Sequence, residues 1–287
     1  MKSYRIPEIA KQYTHYDMIQ SHTDLPDFPE FRTHLLFTFL NRNAGLRGSS
    51  ELFALVTSLI QMGLDTHNLV SVSNEVKEKK AARSRQLKVL AGDYFSARFY
   101  SLLAQAGEIE VIKLLSAAVC EVNRMKMSLY LLMKQLKLTA DEYIQYTVDI
   151  KAQLYLSFTG KMEVAHQQVW PELLREFTRC EVIREEIFRA ESFADFHDSW
   201  GFWHIWSHGS KEERKQLQAA EIDQARLRTL MHKYNVTSQL YQLLDAHMKQ
   251  LNTKVQQLDS DKLISELFHI GEPFYRLLAK PKVLEEM

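Results

Sequence analysis

Apolar residues recur along this chain at intervals of three and four, and this period constrains the fold more than any other feature. The stretch from Glu110 to Met133 shows it best, with one stripe formed by Val111, Leu114, Leu115, Ala118, Val119, Val122, Met125, Leu129 and Leu132. The spacing is that of amphipathic helices and differs from the alternation that indicates strands. Only 9 glycines and 6 prolines interrupt it. The sequence therefore predicts an all-α fold.

The predicted helices follow one another without a linker rich in proline, glycine or serine. They lie near residues 8–20, 29–42, 49–63, 74–91, 93–106, 108–136, 139–160, 162–191, 211–233, 235–257 and 260–279. Thr139 before "ADEYI" and Ser210 before "KEERKQL" are typical N-caps with acids in the first turn. We predict a single-domain helical bundle over residues 1–287.

The charge balance argues against a nucleic-acid partner. Lysine plus arginine and aspartate plus glutamate number 36 each, so the net charge is zero and no overall field attracts polyanions. The most basic run, "NEVKEKKAARSRQ" at residues 74–86, is interpreted as a solvated helix face. Weak attraction to anionic lipid or to a diphosphate is the alternative. We expect no nucleic acid and at most peripheral membrane contact.

Two further features favour a cytoplasmic protein. Cys120 and Cys180 are the only cysteines and lack the spacing of a metal site or a disulfide framework. The N-terminal sequence "MKSYRIPEIAKQY" contains no uninterrupted apolar segment. No apolar run approaches the roughly 18 residues that a membrane span needs. We therefore expect a chain that is neither exported nor integral to the membrane.

Two neighbouring stretches resemble a known family. "VLAGDYFSARFYSLLAQAG" is similar to the segment after the first aspartate-rich motif of trans-polyprenyl diphosphate synthases, and "SLIQMGLDTHNLVS" occupies the place of that motif. Together, "LDTH" and "RQLKVLAGDYFS" resemble the small subunit, component 1, of two-component heptaprenyl diphosphate synthases of Gram-positive bacteria. The resemblance implies an isoprenoid synthase fold over about residues 30–195, with a C-terminal helical extension over about 196–287.

The resemblance also shows which metal ligands are missing. Catalytic members ionise an allylic diphosphate with Mg²⁺ ions held by two carboxylate clusters. In the first window, residues 61–67, Asp65 remains as one carboxylate where three are expected, and His67 follows it. In the second window, "CEVIREEIFRAE", Glu185 and Glu186 are in register, but Arg189 stands where the third acid should be. We expect no metal or cofactor in this chain, and Mg²⁺ in a partner.

The substrate-binding pattern is incomplete as well. Lys151 in "YTVDIKAQLYLS" matches the family's diphosphate-binding lysine, although it could equally snorkel from a helix face. The expected arginine pair after the first motif is replaced by "SVSN". Lys151, Glu185 and Glu186 are therefore interpreted as vestigial motif positions, with a solvated charged face as the alternative for the glutamates. The resemblance places Asp93 near the head of a helix, which predicts capping or core hydrogen bonding.

The segment "SFADFHDSWGFWHIWSHG", residues 192–209, is unusually aromatic. Two interpretations stay open, a contact surface for a partner and a buried cluster of the chain's own core. His204 and His208 stand four residues apart, with His197 and Asp198 upstream. Such a set could hold zinc, but histidines beside aromatic residues are common without a metal.

The resemblance implies a non-catalytic or regulatory subunit. Its partner would be an Asp-rich catalytic component 2, and the heterodimer would elongate farnesyl diphosphate with isopentenyl diphosphate to a C35 product for menaquinone. Candidates for the interface or for the wall of a product tunnel are Asp65, His67, Asp93, Tyr94, Phe95, Phe99, Leu102 and Leu103. The alternatives are a helical scaffold or membrane-surface protein unrelated to isoprenoids, and an autonomous prenyl transferase.

Overall fold

The regular secondary structure is helical throughout the residues that the computed structural model describes, which are 2–21, 24–70, 79–193, 196–218 and 223–279. The all-α prediction is confirmed. The α-helices are α1 Ile6–Thr14, α2 Asp17–Gln20, α3 Glu30–Arg42, α4 Ser50–Asn68, α5 Lys79–Gln105, α6 Ile109–Lys134, α7 Ala140–Leu156, α8 Val169–Ser192, α9 Trp200–His208, α10 Lys211–Leu217, α11 Gln224–Lys233, α12 Val236–Gln256 and α13 Asp261–Ala279.

The chain forms two compact units. Unit 1 comprises Met1–Cys120 and Leu154–Trp170, and unit 2 comprises Glu121–Gln153 and Pro171–Met287. The boundaries fall inside α6, α7 and α8. The single-domain arrangement of residues 1–287 stays a prediction.

The two helix starts predicted from their N-cap residues are confirmed. The hydroxyl of Thr139 accepts the Glu142 N–H (3.2 Å), and the Glu142 carboxylate accepts the Thr139 N–H (2.9 Å). Ser210 and Glu213 form the same reciprocal pair at the start of α10. Each pair satisfies two of the N–H groups that a helix start leaves without an intrahelical acceptor.

Helix α4 occupies the core of unit 1. Every residue from Phe53 to Leu64 is buried, as expected of a helix with largely apolar residues on all its sides. Aromatic pairs extend this core, since Phe53 packs 5.9 Å from Phe158 and Phe39 packs 5.0 Å from Trp170, measured between ring centroids.

The helix break predicted around Gly92 is wrong, because α5 is continuous from Lys79 to Gln105. The glycine serves packing instead. A Cβ at Gly92 would lie 2.6 Å from the ring of His67, and a Cβ at Gly63 would lie 3.0 Å from the Gly92 carbonyl oxygen. The missing side chains thus let α4 and α5 approach closely.

Other predicted helices differ from the observed helices at their ends, and one of them is two helices in the structure. The helix predicted over 211–233 is two helices, α10 and α11, and the helix predicted over 162–191 begins at Val169. Residues 71–78 hold "SVSN" and the first half of the basic run, and they lie outside the described residues.

The aromatic segment belongs largely to the core of unit 2. Phe196, Trp200, Phe202 and Trp203 are between 1% and 7% exposed. Trp206 is half-buried and stacks on Phe202, with a ring-centroid distance of 6.0 Å. The four buried side chains, but not Trp206, therefore fit the second interpretation, a buried cluster of the chain's own core. Their burial stabilises unit 2.

Candidate functional site

The first motif window lies in the C-terminal half of α4. Asp65 accepts hydrogen bonds from the side-chain amide of Gln61, at 3.0 and 2.9 Å from its two oxygens. His67 Nε2 lies 3.4 Å from Asp93 Oδ1 on α5. Asp65 thus has a hydrogen-bond donor of this chain beside it, and Asp93 lies beside an imidazole nitrogen. Among the described residues, neither carboxylate belongs to an acid cluster of the kind that chelates Mg²⁺.

The capping role predicted for Asp93 is wrong. Asp93 lies in the interior of α5, and its side chain is 66% exposed. Backbone N–H groups in a helix interior are already bonded to the preceding turn, so a carboxylate there has no free donor to cap. Its described contact is with the imidazole of His67.

The candidates for a tunnel wall fill the core of unit 1. Phe95, Phe99 and Leu103 are at most 3% exposed, and Leu102 packs against the cluster around Phe37 and Leu59. In this chain, they serve as core residues. A role in a product tunnel stays a prediction.

Tyr94 is the polar exception among these candidates. Its hydroxyl lies 2.5 Å from the hydroxyl of Tyr16. Burial, helped by this hydrogen bond, raises the pKa of Tyr94 to about 12. The phenol therefore stays protonated at neutral pH and ties α5 to the residue that precedes α2.

In the second motif window, Glu185 is bound by the matching lysine. Lys151 Nζ on α7 lies 2.6 Å from both carboxylate oxygens of Glu185 on α8. The structure thus brings together two residues that the sequence singled out separately. In this structure the two side chains form an ion pair with each other.

Glu186 is buried, with 3% of its surface exposed. Oε2 accepts the backbone N–H of Trp200 at 2.7 Å, and Oε1 accepts the Tyr143 hydroxyl at 3.0 Å. Arg189 Nη1 lies 3.3 Å from Oε1 and also donates to the Asp198 carbonyl at 2.7 Å. We call Tyr143, Glu186, Arg189 and the Trp200 N–H the Glu186 network.

The Glu186 network has a structural function. Trp200 is the first residue of α9, where backbone N–H groups lack intrahelical acceptors and the helix dipole favours negative charge. Burial raises the pKa of Glu186, and the neighbouring Arg189 opposes that change. The acid that the family motif offers to a metal here anchors the N-terminus of an aromatic helix.

The described side chains that could bind a divalent metal are not arranged to do so. Across the part of the chain that the structure describes, no group of three or more His, Cys, Asp or Glu side chains is placed to share an ion. His204 and His208 each contact a backbone carbonyl, of Tyr234 (3.3 Å) and of His204 (2.8 Å) respectively. Burial lowers the pKa of His204, so its imidazole is neutral and needs no ligand.

The comparison with known families decides the assignment. A model of the family described as heptaprenyl diphosphate synthase (HEPPP synthase) subunit 1 matches residues 16–235. The chain belongs to this family. A relative, heptaprenyl diphosphate synthase component 1 of Geobacillus stearothermophilus, is 38% identical over 81 residues, which are 28% of this chain and 34% of the relative. That match thus spans about a third of the relative's length.

Solved structures show the same fold. Geranylgeranyl pyrophosphate synthase of Lactobacillus brevis has a TM-score of 0.74 at 12% identity, covering 94% of both chains. Heptaprenyl diphosphate synthase of Staphylococcus aureus has a TM-score of 0.67 at 10% identity, covering 94% of this chain and 95% of that one. The likeness therefore extends past residue 195, beyond the region that the sequence resemblance covered.

Sequence reasoning missed two members of the Glu186 network, Tyr143 and the N-terminus of α9. Tyr143 is buried, and burial raises the pKa of its hydroxyl. It lies 43 residues from its partner in the chain, and no local pattern marks such a pair. The only sequence signal for a buried hydroxyl was the position of this tyrosine on the apolar side of a predicted helix.

Replacing Lys151 with Met together with Glu185 with Gln should have little effect on folding or on turnover. The pair is partly exposed, with Lys151 at 20% and Glu185 at 42%, so we expect the free energy of unfolding to fall by less than about 1 kcal/mol. Prenyl transfer by a mixture with a catalytic component, the assembly proposed below, should stay within about threefold, because an interaction outside the transition state does not change the barrier. Chemical denaturation and steady-state kinetics measure the two effects. A 100-fold loss of turnover at unchanged stability would show a working diphosphate site.

Proposed function

We propose that this chain is the non-catalytic subunit of a two-component, cytoplasmic heptaprenyl diphosphate synthase. One observation carries the proposal: both glutamates of the second motif are already bonded to this chain's own groups, Glu185 to Lys151 and Glu186 to its network. Mg²⁺ needs oxygen ligands that can turn towards it. Membership of the subunit 1 family supports the assignment.

The partner would be a catalytic, Asp-rich component 2. It would bind Mg²⁺, isopentenyl diphosphate and farnesyl diphosphate, and the heterodimer would form the C35 chain for menaquinone. This chain would hold the partner's helices in their active arrangement and could complete the far wall of the product tunnel. A long apolar product needs an apolar enclosure.

The outer side of α5 supports a subunit interface. Val89, Leu90 and Tyr100 on α5 are 40%, 62% and 48% exposed, while Phe95 and Phe99 on its other side are buried. A helix that is apolar on its solvent side as well as its core side indicates a missing partner. We propose that this side of α5, the α5 face, contacts component 2.

The test is incorporation of isopentenyl diphosphate into farnesyl diphosphate with Mg²⁺, by this chain alone, by component 2 alone and by the two mixed. We expect long-chain product from the mixture only, because the acids and the metals would come from component 2. Product from this chain alone would overturn the proposal and indicate an autonomous prenyl transferase. If component 2 alone made as much product as the mixture, this chain would not be required for the reaction.

A helical scaffold or membrane-surface protein unrelated to isoprenoids is the competing class. Family membership counts against it. Among the described helices, none combines the length and hydropathy needed to cross a bilayer. Tight binding to lipid vesicles in the absence of component 2, without stimulation of prenyl transfer in its presence, would favour this class.

A further inference from the structure

A cavity of about 380 Å³ lies between α7, α8 and α12, within unit 2, and we call it the unit 2 cavity. Its volume is in the range of small-molecule sites. Each helix lines it with two residues four positions apart, which are Asp141 and Gln145, Arg179 and Ile183, and Leu243 and His247. Because residues at this spacing share one side of a helix, all three helices turn one side towards the same space.

The floor of the unit 2 cavity is apolar, and acids lie at its edge. Ile144 and Ile183 line it and are 5% and 1% exposed. Asp141 and Glu142, in the first turn of α7, line it as well and are exposed. The Glu142 carboxylate already accepts the Thr139 N–H at 2.9 Å. Asp141 is therefore the acid available to a ligand.

Arg179 supplies a buried donor without an acceptor. Its Nη2 donates to Gln145 Oε1 at 2.6 Å, and the Gln145 amide nitrogen donates in turn to Asp149 Oδ2 at 2.7 Å. These linked hydrogen bonds hold the guanidinium in one orientation. Nε of Arg179 is buried, and no acceptor among the residues that the structure describes bonds to it. Since such a donor is costly, a ligand that brings an anionic oxygen to this nitrogen removes the cost.

His247 is fixed on the side of the cavity that α12 forms. Its Nδ1 lies 3.2 Å from Oε2 of Glu176 on α8. Burial acts to raise the pKa of Glu176, but the hydrogen bond from His247 opposes this and the pKa is lowered. The carboxylate is thus ionised and can only accept, so Nδ1 carries the proton between them. The bond holds the imidazole ring in place as part of the wall.

We propose that the unit 2 cavity binds a small amphipathic zwitterion, an α-amino acid with an aliphatic side chain. Its carboxylate accepts the Nε–H of Arg179, and its ammonium group donates to Asp141. Its side chain lies against Ile144 and Ile183. Asp141 and Gln145 are neighbours on one side of α7, and Gln145 is bonded to Arg179, so one small molecule reaches both charges.

The charges that line the cavity argue against other classes of ligand. A diphosphate would meet one arginine but two acids, Asp141 and Glu142, and like charges weaken binding. A wholly apolar molecule would cover Arg179 without supplying an acceptor to Nε. A simple cation would leave the same nitrogen unbonded. A zwitterion satisfies the arginine and the acid together.

The test is calorimetric titration of the full chain with L-leucine and with two analogues that each lack one charge. Of these, 4-methylpentanoate lacks the ammonium group and 3-methylbutylamine lacks the carboxylate. L-Leucine should bind with a Kd below about 1 mM, an ordinary affinity for a ligand of this size. Each analogue should bind at least about tenfold more weakly, because it loses a charge-assisted hydrogen bond. Glycine, without the apolar side chain, should also bind at least about tenfold more weakly.

Two variants test whether L-leucine binds at this cavity. Arg179→Met removes the guanidinium and keeps an unbranched stem, and Asp141→Asn removes one charge with little change of shape. Each should weaken L-leucine binding at least about tenfold. The matched controls are Arg276→Met and Asp261→Asn on α13, where Arg276 is 74% exposed and Asp261 lies in the first turn, as Asp141 does in α7. Both controls should bind L-leucine within about twofold of wild type.

Circular dichroism melts identify any variant that is unfolded. If Arg179→Met is unfolded, Arg179→Lys replaces it, since lysine keeps the charge and loses the guanidinium edge.

Three results would overturn the assignment, and none of them bears on the proposed function, which prenyl transfer tests. No saturable binding of L-leucine to wild type up to about 10 mM would mean that the cavity is not an amino-acid site. Equal affinity for L-leucine and either single-charge analogue would show that a zwitterion is not what the cavity selects. Unchanged affinity in both cavity variants would place L-leucine elsewhere on the chain.

Discussion

A chain carrying Leu90→Asp and Tyr100→Asp is expected to bind component 2 at least about 100-fold more weakly than wild type. Each substitution removes an exposed apolar group of the α5 face, 62% and 48% exposed, and adds a charge that would be buried on association. Central interface residues commonly contribute about 2 kcal/mol or more each, and 1.4 kcal/mol is a factor of ten in affinity. Prenyl transfer by the mixture should fall with complex formation.

The matched control is Val164→Asp together with Phe188→Asp. These side chains are 84% and 40% exposed, and they lie outside α5 and α6. The control adds the same charge and removes similar exposed apolar groups, so it should bind within about threefold of wild type. Because both α5 positions are solvent-exposed in the isolated chain, the thermal unfolding of the α5 variant should change by only a few degrees. Normal affinity for the α5 variant would place the interface elsewhere.

Replacing Glu186 with alanine is expected to lower the free energy of unfolding by about 2–4 kcal/mol. The substitution leaves the buried Trp200 N–H without its acceptor and removes the carboxylate beside Arg189. The Tyr143 hydroxyl loses one of its two acceptors and keeps the Asp198 carbonyl, at 2.8 Å. Arg189 is 31% exposed and keeps some contact with water, so the loss stays below the largest values known for broken buried pairs. Urea denaturation measures it.

The Glu186→Gln variant supplies the control and the pH dependence. An amide still accepts the Trp200 N–H, so glutamine should cost less than alanine. Burial raises the pKa of Glu186 above its ordinary 4.5, and the folded chain therefore holds this proton more tightly than the unfolded chain does. The stability of wild type relative to the glutamine variant should then fall as pH rises from about 4 to 7. A difference that grows over this range would contradict the assigned pKa direction.

Features encoded within one helical turn could be predicted from the sequence. The Thr139–Glu142 and Ser210–Glu213 pairs are separated by three residues, and both were found where the pattern placed them. The apolar period gave the all-α fold for the same reason, since each helix carries its own stripe.

Features that depend on a second helix could not be predicted in this way. The family resemblance suggested a helix start at the Gly92–Asp93 pair. What decides the outcome is the ring of His67 on another helix, which occupies the space left by Gly92. The Glu186 network joins residues 14 and 43 positions apart, and only the folded chain shows that the motif acid is already in use.

The Glu186 network also limits any attempt to build the family's acidic motif into this chain. Restoring the third acid of the motif by Arg189→Asp would remove the donor to the Asp198 carbonyl and place a second anion beside a buried one. The change would loosen the start of α9 before it created a metal site. Freeing Glu186 for Mg²⁺ would first require a new acceptor for the Trp200 N–H, so single substitutions lead through less stable intermediates. A metal site at this position would thus need several substitutions made together.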